Sequence, residues 1–569
     1  MRKNEIRLLR VLPGEEGSIV KCELFHSSLD RPRGYTALSY TWGIKEHTRL
    51  INVGGFEFPV TDNLEFALQR LRSKQHTVIL WVDAICINQK EEGVIELNHQ
   101  VRLMRRIYKT ARRVALWLGP EENNSKLAMD LIWKLCRNPD FFGTVVEDQS
   151  LVPHFKALVL LFRREYWERI WVVQEIVNAR KIAVYCGKDS IQWSMLAEVS
   201  ILFKIEMKRL MRAFDDNIWR GSSWPRILSG GGPSKLADVR REDAESALLK
   251  ALVLHREKLC AKPEDKVYGI LGILSTPERK QFKVDYKLSA REVFLNVARY
   301  LLETQSLDFL CAVVPHDPNV HKLPSWVPDW EHRPLGLPLI FVGRKHPRFV
   351  AAGTTKAEAS ISDDNEILRF EGIYIDVVEN LGTVLPESSD QYVLMSIFHH
   401  WYSVLVNTRE NTTSKDHEDF CQTIWFDNIL EGWTPTDRMI WTYRTFASLS
   451  RESTELILDD RLTFYADSFQ KHMLSQRKEV YQEYGYTVMG RRRYMISKTG
   501  LQGIVPQDCF QGDIICLPLG CAVPVILRKE EHAQHYTFIG EAYINSYMYG
   551  EAIKEVNDGF RILETFEVN

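Results

Sequence analysis

The first 190 residues alternate short apolar runs with segments of helical spacing, and few folds accept that order. IRLLRVL (6–12) and SIVKCELF (18–25) flank Pro13-Gly14 and read as a β hairpin. YTALSY (35–40) is a short buried strand ending at Thr41-Trp42-Gly43. Asp62-Asn63 caps a helix, LEFALQRLR, whose Leu64, Ala67, Leu68 and Leu71 share one face. TVILWVDAI (77–85), VALWLG (114–119) and KIAVYCG (181–187) are near-continuous apolar runs, as central parallel strands with both faces covered require. NHQVRLMRRIYKTA (98–111), SKLAMDLIWKLC and REYWERIWVVQEIVNAR have helical spacing. The pattern predicts a mostly parallel, doubly wound α/β sheet over residues 1–190.

Further along, residues 191–365 read as a helix-rich middle region. There DKVYGILGIL (265–274) is an apolar helix, SGGGPSK (229–235) a flexible linker and LPSWVPDW (323–330) an extended strap. Residues 366–484 read as mixed α+β. Residues 485–569, with short strands and Gly turns, read as a small antiparallel β barrel or sandwich.

The charge balance narrows the function classes. Lys+Arg is 73 against Asp+Glu 75 in 569 residues, which argues against a dedicated nucleic-acid binder or a polybasic membrane binder. LVLLF (158–162) is too short to span a bilayer, and the N-terminus has no apolar run fit for a signal peptide. The expectation is a soluble, cytoplasmic protein without membrane or nucleic-acid partners. None of the ten cysteines forms a CxxC pair, so they read as buried free thiols. His399-His400 and His532/His535 lack a matching Cys or carboxylate set, and no metal is expected. No G-x-S-x-G is present, and Cys86 reads as a core thiol. Arg491-Arg492-Arg493 reads as a solvated strand edge or a partner patch.

Four longer blocks appear in order: YTALSYTWG (35–43), LWVDAICINQ (80–89), QVRLMRRIYKTARRVALWLG (100–119) and YWERIWVVQE (166–175). They resemble the successive signature blocks of the fungal heterokaryon-incompatibility (HET) domain. One departure is Leu97, where that family often has Arg or Lys. The resemblance implies an intracellular fungal protein of non-self recognition, whose activation triggers growth arrest or programmed cell death. It also implies a distant similarity to Toll/interleukin-receptor (TIR) domains, hence a TIR/flavodoxin-like sheet. Ala37-Leu38-Ser39-Tyr40 is similar to the TIR first strand, and Trp171 with Glu175 keeps the spacing of the TIR glutamate motif.

By that resemblance Glu175 is the candidate catalytic residue of a NAD glycohydrolase. Cleaving the nicotinamide–ribose bond expels a neutral leaving group through an oxocarbenium-like transition state, which one carboxylate can stabilise. Ser39, Tyr40, Trp42, Asp83, Asn88, Gln89 and Trp171 are candidate ligand-binding residues at the carboxyl ends of the strands. No cofactor is expected, NAD being a candidate substrate. Each residue has a plainer alternative. Trp171 and Glu175 serve equally as a packing indole beside an ion-paired carboxylate, Trp42-Gly43 as a chain turn, Asp83 as a turn cap and Asn88-Gln89 as a helix-entry cap. Two readings therefore stand: a signalling and interaction module that meets a protein partner or itself, and a NAD-consuming enzyme on the same domain.

Overall fold

The structure, a computed structural model, describes all residues except 1–3, 44–47, 215–223, 242–246, 315–317, 334–335, 342–348, 387–390, 410–411, 425, 427–489 and 531–533. The chain divides into two compact units, Met1–Ser289 and Ala290–Asn569.

The first unit is built on a nine-stranded sheet. Its strands are β1 (Glu5–Val11), β2 (Lys21–Ser28), β3 (Thr36–Tyr40), β4 (Thr48–Val53), β5 (Phe56–Thr61), β6 (Val78–Trp81), β7 (Arg113–Trp117), β8 (Ile182–Cys186) and β9 (Asp189–Gln192). They lie in the order β5-β4-β2-β1-β6-β3-β7-β8-β9. The four central strands, β6, β3, β7 and β8, are parallel, and β1 and β9 flank them antiparallel. Among those four, chain order runs second, first, third, fourth across the sheet. β3, β7 and β8 are buried along almost their whole length, which explains their uninterrupted apolar sequences.

Helix Asp62–Leu71 buries Leu64, Ala67 and Leu68, as its spacing predicts. Helix Val94–Thr110 buries Val101, Met104, Ile107 and Tyr108, starting a turn earlier than expected. Several expectations are corrected. The 77–85 run is a strand only through Trp81; Asp83–Cys86 then coils into one helical turn, with Cys86 N–H donating to Val82 at 2.7 Å. Asp83 favours that switch by accepting from the Ala84 N–H at 2.7 Å. The 164–180 run is not one helix. It is a 3-10 turn, Glu165–Glu168, and a helix, Trp171–Val177, interrupted where Ile170 N–H donates to Leu259 at 2.9 Å. SGGGPSK is no linker but a tight turn between helices Trp224–Gly230 and Pro233–Arg241. There Gly232 has φ +50° and sits against the Phe162 carbonyl, where a Cβ would approach to 2.7 Å. The 265–274 segment likewise splits, into helix Asp265–Tyr268 and 3-10 turn Leu271–Ile273.

The second unit begins with helix Ala290–Glu303 and centres on a second sheet. Its strands are β10 (Ala359–Ile361), β11 (Leu368–Leu381), β12 (Arg492–Ser497), β13 (Gln502–Pro506), β14 (Ile514–Pro518), β15 (Val525–Lys529), β16 (Tyr536–Glu541), β17 (Tyr543–Ile544) and β18 (Glu564–Val568). The long β11 pairs on one edge with β14 and on the other with β18. β14–β15, β15–β16 and β16–β18 pairings then close five strands into a ring. Closure removes exposed edges and suits the alternating strands and Gly turns of the sequence. Ile373, Ile375, Ile515, Leu517 and Ile526 are part of its core. The strap at 323–330 buries Trp326 and Trp330 fully, and the Trp326 indole donates to the Glu366 carbonyl at 3.1 Å.

The arginine run is also corrected. Arg492 is buried and ion-paired with Glu541, and half-buried Arg493 donates to the Gly382 carbonyl at 2.8 Å. All ten cysteines are free thiols, eight of them buried. His532 and most of the aromatic stretch of residues 390–480 lie outside the described residues. Among the described residues no helix is long and apolar enough to cross a membrane.

Candidate functional site

The carboxyl ends of β3, β6 and β7 carry the residues singled out in the sequence. Ser39 and Tyr40 close β3 and are both buried, at 1% and 2% exposure. Period-two alternation turns them to opposite faces of the sheet. The Ser39 hydroxyl donates to Glu175, on helix Trp171–Val177, and also bonds the Tyr166 hydroxyl at 2.6 Å. Glu175 is itself only 2% exposed.

Burial therefore dominates the electrostatics of this carboxyl. It raises the Glu175 pKa to about 7, a shift opposed by the Arg169 guanidinium and the Ser39 hydroxyl and reinforced by Asp83. Arg169 donates to the Tyr40 carbonyl and feels both Glu175 and Asp83. Burial also holds the phenols of Tyr40, Tyr108 and Tyr166 well above their ordinary range. Tyr108 and Tyr166 thus remain hydroxyl donors at any physiological pH.

A second small cluster adjoins the first. The Trp42 indole donates to Asp83 at 2.9 Å, and Gln89 donates to the Asp83 carbonyl at 3.4 Å. Asn63 donates to the Thr41 carbonyl at 2.6 Å and accepts from Trp117 at 2.9 Å. Gly119 follows β7 with φ +112°, and Arg164 bonds the carbonyls on either side of it, Leu118 at 2.7 Å and Pro120 at 3.0 Å. The loops at these strand ends are fixed by side-chain-to-backbone bonds rather than by loop–loop packing alone.

The sequence-derived residues thus separate into three groups. Ser39, Glu175 and, through Arg169, Tyr40 lie together. Trp42 and Asp83 are directly bonded, with Gln89 beside them. Trp171 and Asn88 lie elsewhere. The Trp171 indole donates to Asp265 at 3.3 Å. The Asn88 side chain accepts from the Lys90 N–H at 3.1 Å, while the Asn88 N–H donates to Glu96 at 3.0 Å. Asn88 is thereby a local turn cap.

Sequence reading misses Arg169, Tyr108, Tyr166, Asn63 and Arg164 as members of the site. The two tyrosines look like ordinary helix-face residues. Arg169 lies in a block already quoted, but only a three-dimensional bond to Tyr40 gives it meaning. Nor does any spacing signal Asp308, Cys311 and Cys521 in the second unit, whose ligand atoms lie within 4.8 Å of one another. Burial keeps the Cys311 thiol well above its usual pKa.

Comparison with known proteins bears on these features. Residues 35–175 match the family model described as Heterokaryon incompatibility protein (HET), a segment that starts just before Ser39 and ends on Glu175. Residues 436–560 match the Het-6 beta-barrel domain. A Neurospora crassa protein, "Heterokaryon incompatibility protein 6, OR allele", is 23% identical, the alignment covering 93% of this chain and 91% of that protein. No solved structure matches the chain.

Proposed function

This chain is a heterokaryon-incompatibility (HET) domain protein, and from that premise we propose that it acts in fungal non-self recognition as a cytoplasmic signalling and interaction module. The observation that carries the reading is the pairing of a HET match in the first unit with a barrel match in the second. One relative, named for incompatibility, parallels nearly the whole chain. In this reading the first unit transmits the response, a programmed cell death, and the second meets a protein partner or another copy. Co-expression with a tagged second copy tests the self-association arm. Recovery of the untagged copy supports it. Strictly monomeric behaviour by light scattering, across the concentration range reached in hyphae, leaves a heterologous partner as the recognition route.

A second reading is favoured by one observation, the neutral-range acid at the strand tips. The central parallel order, second-first-third-fourth, supports a flavodoxin-like reading, in which a ligand would sit beyond the carboxyl ends at the switch point between β3 and β7. Ser39, Tyr40, Arg169 and Glu175 gather at that end. A NAD glycohydrolase of TIR type would use Glu175 against the developing ribosyl cation. Its carboxylate is closed from solvent as the chain stands, so this reading requires activity only after assembly or opening. Purified chain, monomeric and artificially clustered, is incubated with NAD and analysed for nicotinamide. Release abolished by Glu175→Gln supports the enzyme, and no release from either form removes it.

A further inference from the structure

A cavity of about 280 Å³ in the first unit has a chemistry that neither reading uses. Five cationic residues line it: Arg102 and Arg105 from helix Val94–Thr110, and Arg279, Lys280 and Lys283 from the segment that follows 3-10 turn Leu271–Ile273. Among the described residues that line it there is no Asp or Glu. This segregation occurs in a chain whose basic and acidic residues number 73 and 75, so it does not reflect a general excess of positive charge.

Backbone carbonyls hold the arginines in place. Arg105 and Arg279 both donate to the single carbonyl of Leu274, at 3.1 and 3.3 Å, which draws two guanidinium ions together. Arg102 donates to the Val284 carbonyl at 2.8 Å. These bonds help to orient the guanidinium forks. Lys280 and Lys283 are exposed at the mouth. A sixth lining residue, Gln174, is 2% exposed, and its side-chain Nε2 is buried without a hydrogen-bond partner. Its carboxamide fits only because residue 272 is glycine; a Cβ there would lie 2.3 Å from the Gln174 Oε1. A donor buried without an acceptor is destabilising, and a ligand oxygen would satisfy it.

We propose that this cavity binds a small anion carrying two or more phosphoryl groups, held by the arginine forks and the two lysines, with the Gln174 amide completing the set. The volume is at the small end for ligand pockets, so the occupant is a polyphosphorylated small molecule rather than a polymer. Multiple phosphoryl oxygens match bidentate guanidinium groups, and a concave positive site raises the local concentration of such an anion. The proposal stands independently of any catalytic role for Glu175.

The test is calorimetric titration of the full chain with tripolyphosphate and, separately, with ADP, with sulfate at matched ionic strength as control. The expected result is saturable binding of at least one of the two, weakened at least tenfold in Lys280→Glu/Lys283→Glu and several-fold in Lys280→Gln/Lys283→Gln. Binding of ADP alone identifies a nucleotide source, and binding of tripolyphosphate alone an inorganic one. Both lysines are exposed, so both variants should melt within a few degrees of the parent. No saturable binding beyond the sulfate control, or equal binding by parent and a folded charge-reversed variant, overturns the proposal.

Discussion

Ser39 and Glu175, 136 residues apart in sequence, meet in a buried hydrogen bond that ties the end of the first parallel strand to helix Trp171–Val177. The bond satisfies an acid that has almost no other access to water. Ser39→Ala deletes the donor and leaves both Glu175 and Tyr166 short of a partner. The expected loss is about 1–3 kcal/mol of stability for the first unit, read from urea unfolding at neutral pH. Because the hydroxyl favours the ionised form, the substitution should also push the Glu175 pKa further up. A Ser39→Ala chain as stable as the parent would show that the hydroxyl is not satisfying the acid.

The raised Glu175 pKa has a definite pH signature. An unfolded glutamate titrates near 4.5, whereas here burial raises it to about 7. The folded state therefore binds more protons between those values, and its stability falls as pH rises from about 4.5 through 7. Below that window the acid is neutral in both states and adds no penalty. Above it the desolvation cost is fully present, on the order of 3 kcal/mol. Glu175→Gln, neutral throughout, should show a smaller decline across the window, so that it gains on the parent as pH increases. Parallel stability–pH curves for the two proteins would mean that Glu175 has an ordinary pKa.

Much of the sheet is legible in the sequence because its strands have one chemical requirement. β3, β7 and β8 are covered on both faces, and only continuous apolar runs meet that demand. β4 and β5 are partly exposed strands of mixed sequence, and no periodicity announces them. Helical spacing over 164–180 hides a break, because the break comes from the backbone of Leu259, far along the chain, which no local pattern encodes. The same holds at the site. Ser39 and Glu175 stand out through motif blocks, while Arg169 and Tyr166 acquire roles only through contacts across the fold. The arginine run at 491–493 misleads for the converse reason: a charged residue reads as solvated until its buried partner, Glu541, is known.

In the second unit, Arg492 and Glu541 form a buried ion pair, and Glu541 also accepts from the Leu339 N–H at 2.9 Å. Arg492→Met would strand a carboxylate whose pKa burial already raises. The expected cost is about 3–5 kcal/mol by thermal or denaturant unfolding. The double variant Arg492→Met/Glu541→Gln should recover part of it. Equal stability of parent and single variant would contradict a buried pair.

Gly119 has φ +112° and lies beside Arg164, where an added Cβ would come within 2.9 Å of the guanidinium. Gly119→Ala is expected to cost about 1–3 kcal/mol through backbone strain and to loosen the Arg164 bonds to Leu118 and Pro120. Faster amide exchange at residues 118–121 is the readout. Unchanged stability and exchange would mean that the loop adopts another conformation.

The role in incompatibility is tested most directly by fusion. Filamentous strains deleted for this gene, and the same strains expressing the parent chain or Ser39→Ala/Glu175→Gln, are fused with partners carrying a divergent allele, and fused compartments are scored with a vital dye. The account expects death of fused compartments when the parent chain is present, and survival when it is absent or carries the two site substitutions at equal protein level. Survival of fused compartments with the parent chain, across a panel of divergent partners, would contradict it.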